Sequence, residues 1–133
     1  MNKTKIPEKY LDLFEKKAFC FLATLMPDGS PQLTPVWFDF DGTHVIVNSA
    51  RGRVKDENMR LDPRVAVAIH DPDDPYRYLQ IRGEVVEITE EGANDVIDQL
   101  AHKYLDVDTY PHHSPDEVRV TYKIKPDSVQ GMG

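Results

Sequence analysis

Arg51, Arg53 and Lys55 alternate along one short segment of a chain whose formal net charge is −7. Cations gathered in an otherwise acidic chain are suited to neutralising a bound anion, and their surroundings give that idea a geometry. Residues 44–47 form a β-branched run that feeds into segment 48–63. Val54–Leu61 reads as a short helix, which Pro63 stops one residue after Asp62. The cations therefore sit where a strand hands over to a helix. A phosphate at a helix start gains from unpaired backbone N–H groups, from the helix dipole and from nearby side-chain cations together. Gly52 allows a positive φ or a close backbone approach there. The same residues also fit a solvated helix face, because Arg53 and Glu57 stand four apart, as do Arg51 and Lys55, and no Walker-type glycine spacing is present. The cluster by itself names no ligand.

Other residues with chemical potential read more simply. Asp71, Asp73 and Asp74 offer hard oxygen ligands, but their loop lacks the glycine and terminal glutamate of a calcium hand. His112 and His113 are adjacent in a linker, where their side chains diverge, so they read as surface residues and not as a metal pair. Cys20 is the only cysteine, which excludes an intrachain disulfide and a thiolate cluster and suggests a reducing cytoplasm. It lies in an apolar run and reads as core. Tyr76, Arg77 and Tyr78 could stack on a flat ring or simply pack. No Gly-x-Ser-x-Gly or His-Glu-x-x-His spacing occurs, and no side chain is nominated as catalytic.

At 133 residues the chain is expected to be one domain, 1–133, able to bury about two-thirds of its unfolded surface. A hydrophobic share of 40% fits a globular protein, and the acidic balance argues against nucleic acid as partner. No apolar run reaches membrane-spanning length, and residues 1–8 lack the apolar core of a secretory signal. The expectation is a cytoplasmic protein with no membrane partner.

The elements that would position the basic segment follow from periodicity. Residues 7–17 read as a helix with Pro7 in its first turn and Ile6, Tyr10, Leu13 and Phe14 on one side. Residues 18–25 are a nearly continuous apolar run, read as a strand buried on both faces. A Pro-Asp-Gly-Ser turn at 27–30 returns the chain antiparallel as a strand over 32–40, in which Pro35 demands an edge or bulge. Asp41-Gly42 makes a second hairpin into a strand over 44–48. Arg64–His70 is a fourth strand, and 76–88 a fifth, long and bent at Gly83. Residues 90–105 form the clearest helix, with Thr89 as cap, and 118–125 alternate as a half-buried sixth strand after a polar linker over 106–116. Six strands and three helices in this order predict a mainly β chain, a small antiparallel barrel, closed or split, with flanking helices.

Three ordered blocks bear a family resemblance: Ala-Thr-Leu-Met-Pro-Asp-Gly-Ser-Pro-Gln-Leu-Thr-Pro-Val-Trp-Phe at 23–38, Ala-Arg-Gly-Arg-Val-Lys-Asp-Glu-Asn-Met-Arg-Leu-Asp-Pro-Arg at 50–64, and Tyr-Arg-Tyr-Leu-Gln-Ile-Arg-Gly at 76–83. Read together, they make the chain resemble the pyridoxamine 5′-phosphate oxidase-like flavin and deazaflavin oxidoreductases, over about residues 7–125. The resemblance implies a six-stranded antiparallel split β-barrel of the FMN-binding type, a homodimer, and two cofactor sites between subunits. Within that group the chain looks closest to the branch that uses the deazaflavin coenzyme F420, with FMN as the alternative cofactor. The resemblance implies that Arg53, Val54, Lys55 and Asn58 bind the cofactor phosphate. It further implies that Thr34, Pro35, Val36 and Trp37 line the ring, that Asn48, Ser49 and Ala50 bound the cofactor, and that Tyr76, Arg77, Tyr78 and Leu79 contribute from the partner subunit. Arg119, Lys123 and Lys125 are candidates, by charge, for a polyglutamate tail.

The implied activity is hydride transfer from a reduced deazaflavin to a small conjugated or aromatic substrate. The alternatives are an FMN-binding relative of the pyridoxamine oxidases, or a carrier or sensor that binds flavin, deazaflavin or haem without turnover. The chain is shorter than the pyridoxamine oxidases themselves and shows no second phosphate-binding set, which argues against the vitamin as substrate.

Overall fold

The computed structural model describes residues 5–133; residues 1–4, which entered the reading of the amino terminus, lie outside them. Seven strands form a single antiparallel sheet: β1 (Cys20–Leu25), β2 (Pro31–Val36), β3 (Phe38–Phe40), β4 (Val45–Ala50), β5 (Arg64–His70), β6 (Tyr78–Thr89) and β7 (Arg119–Met132), in the order β2-β1-β5-β6-β7-β4-β3. The two edge strands are neighbours in sequence, separated by Trp37 alone. A seven-stranded sheet whose outer edges are one residue apart must curl until they nearly meet, and the result is a split barrel. The flanking helices are a 3₁₀ helix (Glu8–Phe14), α1 (Val54–Leu61) and α2 (Ala93–Leu105).

The expected six strands become seven because the run 32–40 does not remain one strand. Its first part, β2, pairs with β1, and its last, β3, pairs with β4, so the chain changes partners at Trp37. Pro35 lies in β2 at the sheet edge, where its missing N–H costs no ladder bond. Val36, Phe38 and Phe40 all pack into or against the main core despite the break.

Inside the barrel the strands contribute Cys20, Leu22, Val45, Val47, Val67, Ile69, Leu79, Ile81, Val120, Tyr122 and Ile124, all essentially inaccessible. Each such aliphatic side chain is worth roughly 1.5–3 kcal/mol when buried. The 3₁₀ helix adds Tyr10, Leu13 and Phe14, and the Phe14 ring stacks on Phe40 at 4.4 Å. Cys20 is fully buried, and burial pushes its thiol pKa far up, as expected of a core cysteine.

Two burial expectations and one cap require correction. β1 is not covered on both faces: Cys20, Leu22 and Thr24 point inward, whereas Phe21 is 40% exposed and the preceding Phe19 49%. β7 is not half-solvated in its first part, since α2 lies over that face and buries Arg119 and Thr121. The cap of α2 is Gly92 in the left-handed region, with Thr89 one turn earlier accepting the Glu91 N–H at 3.1 Å.

The register of β6 against β7 shifts between Arg82 and Gly83, as the sequence suggested. A methyl group at Gly83 would collide with the Lys125 backbone carbonyl. Gly83→Ala should therefore lower stability by about 1–3 kcal/mol through forced strand separation, measured as a lower urea midpoint.

Candidate functional site

β3 pairs only with Val45, Ile46 and Val47, so Asn48, Ser49 and Ala50 have no strand on that side among the described residues. This notch is the split of the barrel. Pro35, Val36 and Trp37 form one lip, Asn48 and Ser49 the other, and the chain leaving β4 brings Arg53 and Lys55 to the rim. A cleft of about 200 Å³ results, completed by Phe19, Ile97 and Leu100 of α2, Tyr110 and Arg119.

The loop carrying the cations is held from below. Gly52 adopts φ 90°, which favours glycine, and its N–H donates to Asp56 Oδ2 at 3.0 Å. Asp56 is itself buried at the start of α1, where it also accepts from Arg60 Nε at 3.0 Å and from the Tyr122 hydroxyl of β7. Burial would raise the Asp56 carboxyl, but the bonds from Tyr122, Gly52 and Arg60 outweigh it and hold the pKa below the usual value. A negative charge at a helix start is also favoured by the dipole.

Arg53 does not pair with Glu57, as a solvated helix face would have it. Its Nη2 donates to Glu117 Oε2 at 3.0 Å. Arg119, 6% exposed, donates through Nη1 to Glu117 Oε1 at 2.8 Å and through Nε to Asn48 Oδ1 at 2.9 Å. Asn48 in turn donates to the Ala93 carbonyl at 2.9 Å, pinning the start of α2 to β4. Lys55 has no acceptor in reach among the described residues. Burial, and the like charges of Arg53 and Arg119, hold its ammonium below the ordinary lysine pKa. The Ser49 hydroxyl, in this cleft, is likewise buried with no partner among the described residues. An unpaired cation, two neighbouring guanidinium groups and an orphaned hydroxyl together suit an oxyanion.

The remaining wall is aromatic. Trp37 stacks on Tyr104 at 5.1 Å with the rings 3° from parallel, and Tyr110 meets Trp37 edge-on at 6.2 Å. Tyr104 is fixed by donating its hydroxyl to the Ala18 carbonyl at 2.6 Å. Tyr110 is fixed by its backbone N–H, which donates to Asp98 Oδ1 of α2 at 2.8 Å. A flat ring entering the cleft would meet a preset aromatic surface.

Of the sequence-derived candidates, Pro35, Val36, Trp37, Asn48, Ser49, Arg53 and Lys55 line this one cleft. Thr34 points into the barrel opposite Leu22, its hydroxyl buried without a partner among the described residues. Ala50 is buried beneath the turn, and Val54 is largely exposed on α1. The Asn58 amide donates to Thr24 Oγ1 at 3.0 Å, tying α1 to β1, so it is committed away from the cleft. Tyr76, Arg77, Tyr78 and Leu79 do not line it in the same chain: Leu79 is core, Tyr76 is exposed, and Arg77 is ion-paired with Asp12 at 2.7 Å and Asp71 at 2.8 Å. Lys123 and Lys125 lie near acidic side chains on the sheet surface. Phe19, Ile97, Leu100 and Tyr110 were not singled out as site residues. The apolar stripe of α2 was the available signal for two of them, since it had to cover a sheet face.

The sequence profile of the pyridoxamine 5′-phosphate oxidase family matches residues 6–133. Among solved structures, an F420 reductase is 33% identical, superposes with a TM-score of 0.83, and is matched over 94% of this chain and 98% of its own. A conserved hypothetical protein of Mycobacterium tuberculosis is 23% identical with a TM-score of 0.77, over 99% of this chain and 89% of that one. A candidate pyridoxamine 5′-phosphate oxidase from Listeria innocua is 24% identical with a TM-score of 0.71, over 93% and 95%. With notch, cations and aromatic wall in place on a split barrel, the chain belongs to the pyridoxamine 5′-phosphate oxidase family. No helix among the described residues is long and apolar enough to cross a membrane.

Proposed function

We propose that the cleft binds the phosphate-bearing end and ring of a redox cofactor, coenzyme F420 first and FMN as the alternative, and that the protein is an oxidoreductase acting on a small conjugated or aromatic substrate. The observation that supports this most is Lys55, a partly buried cation with no counter-ion among the described residues, beside two arginines in a cleft walled by Trp37 and Tyr110. Arg53, Lys55 and Arg119 would hold the phosphate, Ser49 would offer it a hydroxyl, and Trp37 would flank the ring. The cofactor, when bound, supplies the hydride. This chain's residues orient it and exclude water.

A homodimer completes the reading. Ligand sites usually enclose about 300–1,000 Å³, more than this cleft of about 200 Å³ offers from one chain. Beside it the outer face of β1 and β2 exposes Phe21, Leu33 and Pro35, with Leu33 at 65%. A second copy seated there would deepen the site, and its accessible Tyr76 and Tyr78 are candidates for the far wall. Leu33→Glu, which lies outside the cleft, should halve the sedimentation mass and weaken cofactor binding. A dimer that persists would remove this part of the reading.

Binding without turnover is the second reading, favoured by a cleft lining that contains neither carboxyl nor imidazole. Titration with coenzyme F420 and FMN, followed by steady-state oxidation of the reduced cofactor against a panel of acceptors, separates the two. Acceptor-dependent loss of cofactor absorbance supports the enzyme. Binding with no such loss leaves the carrier.

A further inference from the structure

Glu117 lies two residues before the start of β7, and its carboxylate is divided between two of the cleft's three cations, Arg53 at 3.0 Å and Arg119 at 2.8 Å. One partner is almost wholly buried, and the Glu117 side chain keeps only 24% of its exposure. An oxyanion bridging two guanidinium groups is the arrangement a phosphate adopts with paired arginines. The chain's own carboxylate thus stands where an anionic ligand would stand, while Lys55 is left without a partner.

We propose that Glu117 is a selectivity residue of this cleft, an internal anion that holds Arg53 and Arg119 until a phosphate that also reaches Lys55 takes them from it. The proposal rests on the reading of the cleft as a phosphate site. A monovalent anion such as chloride would replace one single charge by another and gain nothing. A phosphate presents two or three free oxygens, so it can bridge the arginines and also satisfy Lys55, which has no partner among the described residues; the monoester of FMN adds a charge of about −1.5 to −2 near neutral pH. That additional contact decides the exchange. Displacement requires only that the Glu117 side chain swing outward, because Tyr110 and His113 of the same loop remain bound to Asp98 at 2.8 and 2.7 Å.

The test is calorimetric titration of the unaltered protein, Glu117→Gln and Glu117→Ala with inorganic phosphate and with FMN, repeated with chloride as competitor. Both variants should bind phosphate about tenfold more tightly, and chloride should compete at concentrations that leave the unaltered protein unaffected. The alanine variant excludes a donated bond from the new amide as the cause. In the unaltered protein, the Glu117 carboxyl carbon resonance should move to that of a solvated glutamate on saturation with phosphate, a readout independent of whether the variants fold. Unchanged or weaker phosphate affinity in both variants, or a stationary resonance, would overturn the role of Glu117 while Lys55→Ala still weakened binding. Absence of phosphate and FMN binding to every form, with Lys55→Ala indistinguishable, would overturn the cleft reading as well.

Discussion

Replacing Lys55 with alanine should weaken binding of FMN and of coenzyme F420 by about 1.5–3 kcal/mol, the scale of one charge-assisted hydrogen bond. The effect should fall near the lower end, because Lys55 retains some solvent contact and its charge is partly screened. The substitution takes no bond from the folded protein, since Lys55 has no acceptor among the described residues. The unliganded protein should therefore unfold at the same temperature or slightly higher, with two like charges relieved of a third. That split between affinity and stability distinguishes a ligand-binding cation from a structural one. Affinity in the unaltered protein should also decline as pH rises through the Lys55 pKa. Because burial, Arg53 and Arg119 depress that pKa, the decline begins below the ordinary lysine range. Unchanged affinity for both cofactors in Lys55→Ala would place the phosphate elsewhere.

Asp56→Ala should cost about 3–5 kcal/mol of stability, the range for removing one partner from a buried charged network. Its carboxylate satisfies the Tyr122 hydroxyl, the Gly52 N–H and the Arg60 guanidinium together, and Tyr122 is fully buried. The alanine leaves Tyr122 without its acceptor inside the barrel and releases the turn that presents Arg53 and Lys55. Chemical denaturation measures the loss, and a change below about 1 kcal/mol would contradict the network. The sign of the pH dependence follows from the depressed Asp56 pKa. Its contribution is present above the ordinary aspartate pKa and is lost as pH falls through the folded value. Asp56→Asn should accordingly flatten the acid limb of the stability profile, and in both variants weaker cofactor binding would accompany the loosened turn.

Where the sequence was local in its logic, it was legible. Val54–Leu61 and Arg64–His70 have the bounds that their proline stop and β-branched run imply. Gly83 marks the shift in register, and Pro35 marks an edge. The three-residue strand β3 was not legible, because the run 32–40 is uniformly strand-like and nothing in it says that the partner strand changes at Trp37. Arg119 illustrates the same limit in the site. Alternation placed it opposite the core and hence in water, yet α2 covers that outer face and turns an apparent surface cation into a buried one bound to Asn48 and Glu117.

The sequence by itself determined a mainly β antiparallel barrel and the basic turn after β4, since each depends on residue type and spacing over a few positions; the split form and the place of Trp37 in the site were implied by the family resemblance. Only the tertiary structure decided that the two sheet edges meet at Trp37, that Tyr110 and Arg119 join Lys55 in one cleft, and that Asn58 and Arg77 are committed elsewhere. Those outcomes depend on which distant segments pack together. Backbone periodicity sets which face a side chain takes, but not what covers that face.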